Sequence, residues 1–203
     1  MLQRPGPRLV LASASASRRS LLTAAGLTFD VRPADIDEAM VKHDALVERT
    51  NAETAALRLA DLKAAAIVRH EPDAIVIGAD QILVCNGAWF DKPVDVSAAR
   101  EQLRVLRGRS HFLVTAVVCH RGDARVWHHV AVPRLVMRDF SDDFLDQYLA
   151  AEGDAVISAV GAYRLEGRGI QLFDAVEGEH TAVLGLPMLP LLAFLRSVRC
   201  VEE

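Results

Sequence analysis

The 203-residue chain is 51% hydrophobic and 25% charged, a balance that suits a globular fold with a sizeable core and excludes fibrous or low-complexity organisation. Its formal charge of -4 gives no global attraction to nucleic acid, so an anionic partner has to be held by a local cation cluster, and a small anionic ligand suits that better than a polyanion. No apolar run has the length of a membrane helix, Met1-Leu2-Gln3-Arg4-Pro5 lacks a secretory hydrophobic region, and Cys85, Cys119 and Cys200 fit reduced thiols, so the expectation is a cytoplasmic protein without a membrane partner.

In chain order, the apolar run Leu9-Val10-Leu11 leads into a segment holding Ser13, Ser15, Ser17, Arg18 and Arg19, followed by Leu21-Leu22. Hydroxyls, backbone N–H groups and the positive end of a helix dipole converge there, and two guanidiniums add forked donors, a combination that fits phosphate. Ser15 or Ser17 as an ordinary helix N-cap explains the serines equally well. A short strand is predicted at Thr28–Val31, followed by the acidic Asp35-Ile36-Asp37-Glu38, which either solvates a loop or offers oxygen ligands to a hard cation. Leu57, Ala60, Ala64 and Ile67 or Val68 recur at helical spacing and predict one long helix from about Val47 to Val68.

Asp73–Gly78 reads as a buried strand, and Gln81–Cys85 continues it or opens a second before a hairpin turn at Asn86-Gly87. Asp95 or Ser97 caps a helix through Leu106 that Gly108 ends, and His111–Val118 and Val126–Val136 are predicted antiparallel strands around Arg121-Gly122. Ser141-Asp142-Asp143 opens a helix to Ala151 before Gly153, and Pro187 starts a last one toward Val198. Helices among strands that are partly consecutive and partly hairpin-linked predict an α/β fold with a mixed twisted sheet flanked by helices. Without repeats or a flexible linker, residues 1–203 are read as one domain that can divide into two lobes.

Asp80, at the end of the most hydrophobic strand, either terminates the strand as a turn former or projects into a cleft as the leading carboxylate candidate. Lys92 leaves the chain in a direction fixed by Pro93, and Lys63 stands on the long helix. With Arg18 they make three cations for a triphosphate, while Asp80 and Glu38 can anchor a magnesium ion. The chain has no Walker phosphate loop, dinucleotide fingerprint, nucleophile elbow or HExxH motif, which removes the main support for ATPase, dehydrogenase, serine hydrolase and zincin readings. His128 and His129, adjacent in a predicted strand, face opposite sides and do not make a joint metal site. His111 and His180 read as ordinary polar or packing residues.

Seven ordered segments resemble the Maf family of nucleoside triphosphate pyrophosphatases, known as septum-formation proteins. They are Leu11–Arg19 with Leu21-Leu22, Asp37-Glu38, Arg58–Ala64, Gly78-Ala79-Asp80, Lys92-Pro93, Gly161-Ala162-Tyr163 and Gly185-Leu186-Pro187. The resemblance implies an α/β fold like that of inosine triphosphate pyrophosphatases, with two lobes and a central cleft, and often a homodimer. It implies that Ser13, Ser15, Arg18, Glu38, Lys63, Asp80 and Lys92 serve the site, with Asp80 as proton acceptor and Glu38 and Asp80 toward Mg²⁺ or Mn²⁺. The implied reaction converts a nucleoside triphosphate to the monophosphate and pyrophosphate. Whether Asp80 takes the proton directly or holds the metal that acidifies water stays open at this point.

Three positions bear on the base. The thymidine and uridine triphosphate branch of the family resembled carries arginine, threonine and glutamine where this chain has Ser17, Gln81 and Glu166. Gln81 and Glu166 are similar to the 7-methylguanosine triphosphate branch, in which a carboxylate can accept from the N1–H and N2–H₂ edge of guanine. Ser17 replaces the aromatic residue of that branch and removes a stacking surface. Ser158-Ala159-Val160 likewise departs from the Asp-Lys-Ala of the pyrimidine branch. The alternatives are a dTTP/UTP pyrophosphatase of the same family and a non-catalytic regulator of septum formation acting through a protein partner.

Overall fold

Three consecutive buried residues, Leu9–Leu11, form the first strand of a computed structural model that describes residues 3–202. In chain order the elements are β1 (Leu9–Leu11), α1 (Ala16–Ala24), β2 (Asp30–Val31), α2 (Glu38–Val47), α3 (Ala52–Val68), β3 (Ile75–Cys85), β4 (Ala88–Phe90), α4 (Val96–Leu106), β5 (Ser110–Arg121), β6 (Ala124–Ala131), β7 (Arg134–Met137), α5 (Asp142–Glu152), β8 (Phe173–Glu177), α6 (His180–Val183) and α7 (Met188–Ser197). Short 3₁₀ turns at Gly153–Ser158, Val160–Ala162 and Arg168–Leu172 punctuate the stretch between α5 and β8. The strand pairings are parallel for β1 with β2 and β3, and antiparallel for β3 with β4, β5 with β6 and β7, and β7 with β8. The α/β class with a mixed sheet is therefore as the sequence predicts. No helix among the described residues is long and apolar enough to cross a membrane.

The chain forms two compact units. One holds everything up to Gln81, Thr115–Ala131 and the chain from Gly185 onward; the other holds Ile82–Val114 and Val132–Leu184. In the first unit, Val10 pairs with Val76 and Leu11 with Val31, and the first six residues of β3 are all buried. Continuous burial of this kind is what parallel strands require when both faces are covered. Leu9, Leu11, Ile75 and Ile77 join Leu22 of α1, Val117 and Cys119 of β5 and Leu191 and Leu195 of α7 in one core.

The helix predicted from Val47 to Val68 is two helices. Glu48–Asn51 separates them, Arg49 takes a left-handed φ of 55°, and the Asn51 side chain accepts from Thr54 N at 2.8 Å. Asn51 satisfies the orphan donors of a new N-terminus more readily than it continues a helix. Asp37 caps α2 by accepting from Met40 N at 2.9 Å, so the acidic 35–38 stretch is a helix start rather than a loop throughout.

In the second unit, the end of β3 and β4 form the hairpin predicted at Asn86-Gly87. Both turn residues have positive φ, 50° and 81°, and Cys85 pairs with Ala88. This is the backbone that a two-residue hairpin turn demands. Asp95 and Ser141 cap α4 and α5 through Ala98 N and Phe144 N. Leu83, Leu103, Leu106, Leu113, Leu135, Leu145 and Tyr163 lie in its core. The strand predicted over Val126–Val136 is instead β6 and β7, divided at Val132-Pro133. Proline has no N–H for the ladder, so pairing stops there and resumes at Arg134. The three cysteines are free and buried, as predicted for reduced packing residues.

Candidate active site

Ser13 follows β1, and Ser15 caps α1, its hydroxyl accepting from Arg18 N at 3.3 Å. That cap sets the first helical turn and sends Arg18 inward, where it is buried. Arg18 Nε donates to Gly185 O at 2.8 Å; Nη1 donates to Ala79 O at 2.8 Å and Ser13 Oγ at 3.1 Å. Nη2 has no hydrogen-bond partner among the described residues. Burial pushes the guanidinium below its ordinary pKa, while Asp80 and Glu38 oppose that shift by their negative charge.

Asp80 reaches the same region from the middle of β3, which runs on through it to Cys85, so the acid does not end the strand as the sequence predicts. Side chains alternate along a strand, so Gly78 and Asp80 share a face. A Cβ on Gly78 would lie 2.2 Å from Ala60 O and 2.9 Å from Ala64 Cβ, so the missing side chain is what lets α3 approach β3. The close approach delivers Lys63, three residues beyond Ala60, onto the carboxylate. Lys63 Nζ is 2.6 Å from Asp80 Oδ1 and 2.9 Å from Glu38 Oε1. Lys63 and Asp80 are both buried, whereas Glu38, at the first position of α2, is about half exposed. Burial acts to raise the Glu38 pKa, but the Lys63 hydrogen bond and the charges of Lys63, Lys42 and Arg18 together hold it below the usual range.

Asp80 Oδ2 is buried and has no hydrogen-bond partner among the described residues. A carboxylate oxygen in this condition invites a proton, a water or a hard cation. No group of three or more His, Cys, Asp or Glu side chains placed to hold a metal occurs among the described residues. With one buried carboxylate oxygen open on Asp80 and Glu38 half exposed beside it, the donor set fits a cation that takes one or two protein carboxylates and completes its shell with phosphate oxygens and water, the habit of magnesium.

The first unit thus brings Ser13, Arg18, Glu38, Lys63 and Asp80 together, with Ser15 as the cap beneath Arg18. Ser17 is half-buried on α1. Gln81 falls on the opposite strand face from Asp80 and donates through Nε2 to Thr115 Oγ1 at 2.8 Å. Lys92 and Glu166 belong to the second unit, where both are exposed, Lys92 between β4 and α4 and Glu166 in the turn after Tyr163. Sequence reasoning missed the Gly185 carbonyl as the anchor of Arg18, and it missed Gly78 as the reason Lys63 reaches Asp80. Gly78 within an otherwise apolar strand was the available signal, since an interior strand glycine marks a close backbone approach.

A mixed α/β fold that gathers Arg18 of α1, Lys63 of α3 and Glu38 of α2 around Asp80 in the middle of a buried strand defines a protein suited to gripping a phosphate chain beside an acid. A family model described as Maf-like protein matches residues 8–198. The chain belongs to this Maf-like family. It is 56% identical over 93% of its length to a nucleoside triphosphate pyrophosphatase of Granulibacter bethesdensis, covering 96% of that protein, and 52% identical over 94% to one of Gluconobacter oxydans, covering 95%. It is 44% identical over 97% of its length to a 7-methyl-GTP pyrophosphatase of Rhizobium meliloti, covering 98% of that chain.

Proposed function

We propose that this chain is a nucleoside triphosphate pyrophosphatase, hydrolysing its substrate to the monophosphate and pyrophosphate, with a guanine-type base such as that of 7-methyl-GTP preferred. The observation that carries the reading is the buried Oδ2 of Asp80, without a hydrogen-bond partner among the described residues, on a carboxylate that pairs with Lys63 through Oδ1 and lies in the electrostatic reach of Arg18. The names of the Granulibacter and Rhizobium relatives support the reaction and the base respectively.

In this reading the oxygen of a water forms a bond to the α-phosphorus and the bond from that phosphorus to the bridging oxygen breaks. Asp80 Oδ2 takes the proton the water loses, while Lys63 on Oδ1 keeps the carboxylate oriented. Arg18, fixed by Ser13, Ala79 O and Gly185 O, meets the charge that grows on the leaving pyrophosphate. Lys92 is assigned to the phosphates, and Ser17, Gln81 and Glu166 to the base, on the resemblance of their motifs. Asp80 and Glu38 would hold a divalent cation, which would neutralise phosphate charge and acidify water there.

The test is pyrophosphate release from a nucleotide panel with Mg²⁺ or Mn²⁺. Asp80→Asn keeps the shape, removes the acceptor charge, and is expected to cost a factor of about 100 or more. Equal inactivity of the native protein and the variant on every nucleotide would turn the reading toward a regulator of septum formation that binds a protein partner.

A further inference from the structure

Lys63 stands where the two carboxylates meet. Its ammonium is 2.6 Å from Asp80 Oδ1 and 2.9 Å from Glu38 Oε1, so one cation already bridges the pair that the proposed reaction assigns to a metal. Lys63 is buried, and Arg18 places a second positive charge in the electrostatic reach of both carboxylates. A bare divalent ion approaching this cluster meets carboxylates whose charge is compensated and two cations that repel it. A triphosphate reverses the balance, because its oxygens give the ammonium and the guanidinium new partners. Glu38 is half exposed at the start of α2 and can leave Lys63 for water, while Lys63 keeps Asp80 Oδ1 as its partner.

We infer that Lys63 withholds Asp80 and Glu38 from free divalent cations, so that this protein takes its metal only together with a triphosphate and its substrate is the metal–nucleotide complex. The inference rests on the pyrophosphatase reading. It adds an order of assembly set by one side chain of α3.

The experiment titrates Mn²⁺ into the full-length protein and follows free Mn²⁺ by electron paramagnetic resonance. Three conditions are compared: protein alone, protein with a guanosine triphosphate analogue whose α–β bridge is methylene, and analogue alone to correct for chelation in solution. Native protein alone is expected to bind Mn²⁺ weakly, with affinity rising about tenfold or more once the analogue is present. Lys63→Met, checked for folding by thermal melting, is expected to bind Mn²⁺ without analogue about tenfold or more tightly than native protein, whereas Lys63→Arg, which keeps the charge, stays weak. Should Lys63→Met not fold, Lys63→Gln takes its place, and a folded uncharged variant that binds Mn²⁺ without the analogue as weakly as native protein overturns the role of Lys63. Native protein that binds Mn²⁺ as tightly without the analogue overturns the inference and leaves the pyrophosphatase reading standing. Absence of protein-bound Mn²⁺ in native protein and variants under every condition overturns both.

Discussion

Gly78 of β3 and Ala60 of α3 are in such close contact that a single added carbon on the glycine would sit 2.2 Å from the alanine carbonyl oxygen. The ion pair of Lys63 with Asp80 depends on this spacing, since each charged residue lies only two or three positions from the contact. Gly78→Ala is therefore expected to push the helix off the strand, to cost about 1–3 kcal/mol in stability as an overpacked interior does, and to lower the rate of pyrophosphate release by separating Lys63 from Asp80. Gly6→Ala serves as the control, because its added carbon meets nothing closer than 3.8 Å. Urea denaturation and pyrophosphate assays of the two variants check this. A Gly78→Ala protein that matches native stability would remove the proposed reason for the geometry.

Some of this arrangement was legible in the chain because it is local. The hairpin at Asn86-Gly87 and the caps Asp95 and Ser141 follow from the backbone preferences of a few adjacent residues, and they stand where those preferences put them. The break at Glu48–Asn51 was hidden because Leu57, Ala60 and Ala64 give a helical period that says nothing about where the helix begins. Pro133 carried the division of β6 from β7, but the apolar run across it was the louder signal. In the site, residue types in motifs picked out Ser13, Arg18, Lys63 and Asp80. That Lys63 bridges Glu38 to Asp80, or that the Gly185 carbonyl holds Arg18, depends on segments up to 167 residues apart meeting in three dimensions.

Arg18 gives a second test. Its fork reaches Gly185 O, Ala79 O and Ser13 Oγ at once, and a lysine ammonium cannot satisfy three acceptors spread around a planar group. Arg18→Lys leaves at least one buried carbonyl without its donor, at about 1–3 kcal/mol. Calorimetry is expected to show a lowered Tm for Arg18→Lys despite conserved charge, together with a raised KM for the triphosphate. Retention of native Tm and KM by the lysine variant would mean that charge alone matters here.

His111 in the second unit contributes a pH dependence of its own to stability between pH 6.5 and about 4. It is fully buried, its Nε2 is 2.8 Å from Tyr163 Oη, and its Nδ1 has no hydrogen-bond partner among the described residues. Burial lowers its pKa from 6.5 to about 4. The unfolded chain therefore binds a proton at His111 below about pH 6.5 that the folded chain refuses until about pH 4, so stability falls as the pH drops through this window and levels off beneath it. The full loss is about 3 kcal/mol, from 1.36 kcal/mol per pKa unit. His111→Gln keeps a polar partner for Tyr163 and removes the titration. Denaturation curves from pH 7.5 to 4 are expected to fall less steeply for the variant, by close to one proton's worth of slope. Parallel curves would show that His111 is protonated as readily in the folded protein as in the unfolded one.

Glu166 stands in a turn built around a buried charge. The Glu152 side chain is 1% exposed, and its two oxygens are each 3.2 Å from a different arginine, Arg164 and Arg168, which flank Glu166 by two residues on either side. Gly169 closes the turn, since a Cβ there would lie 2.5 Å from Arg164 O. The arginines are much more exposed than the glutamate, so their loss strands a buried carboxylate, whereas loss of Glu152 frees cations that can reach water. Replacing both arginines with alanine is thus expected to destabilise by about 3–5 kcal/mol and Glu152→Gln by less. Glu166→Gln, on an exposed side chain, is expected to leave stability within about 0.5 kcal/mol. It is expected instead to lower kcat/KM for 7-methyl-GTP relative to UTP and dTTP by about tenfold, the scale of one lost base-edge pair, with Gln81→Thr shifting the ratio in the same direction. Relative kcat/KM values that stay fixed in both variants would reject Glu166 and Gln81 as readers of the base, even if the Glu152 clamp behaves as described.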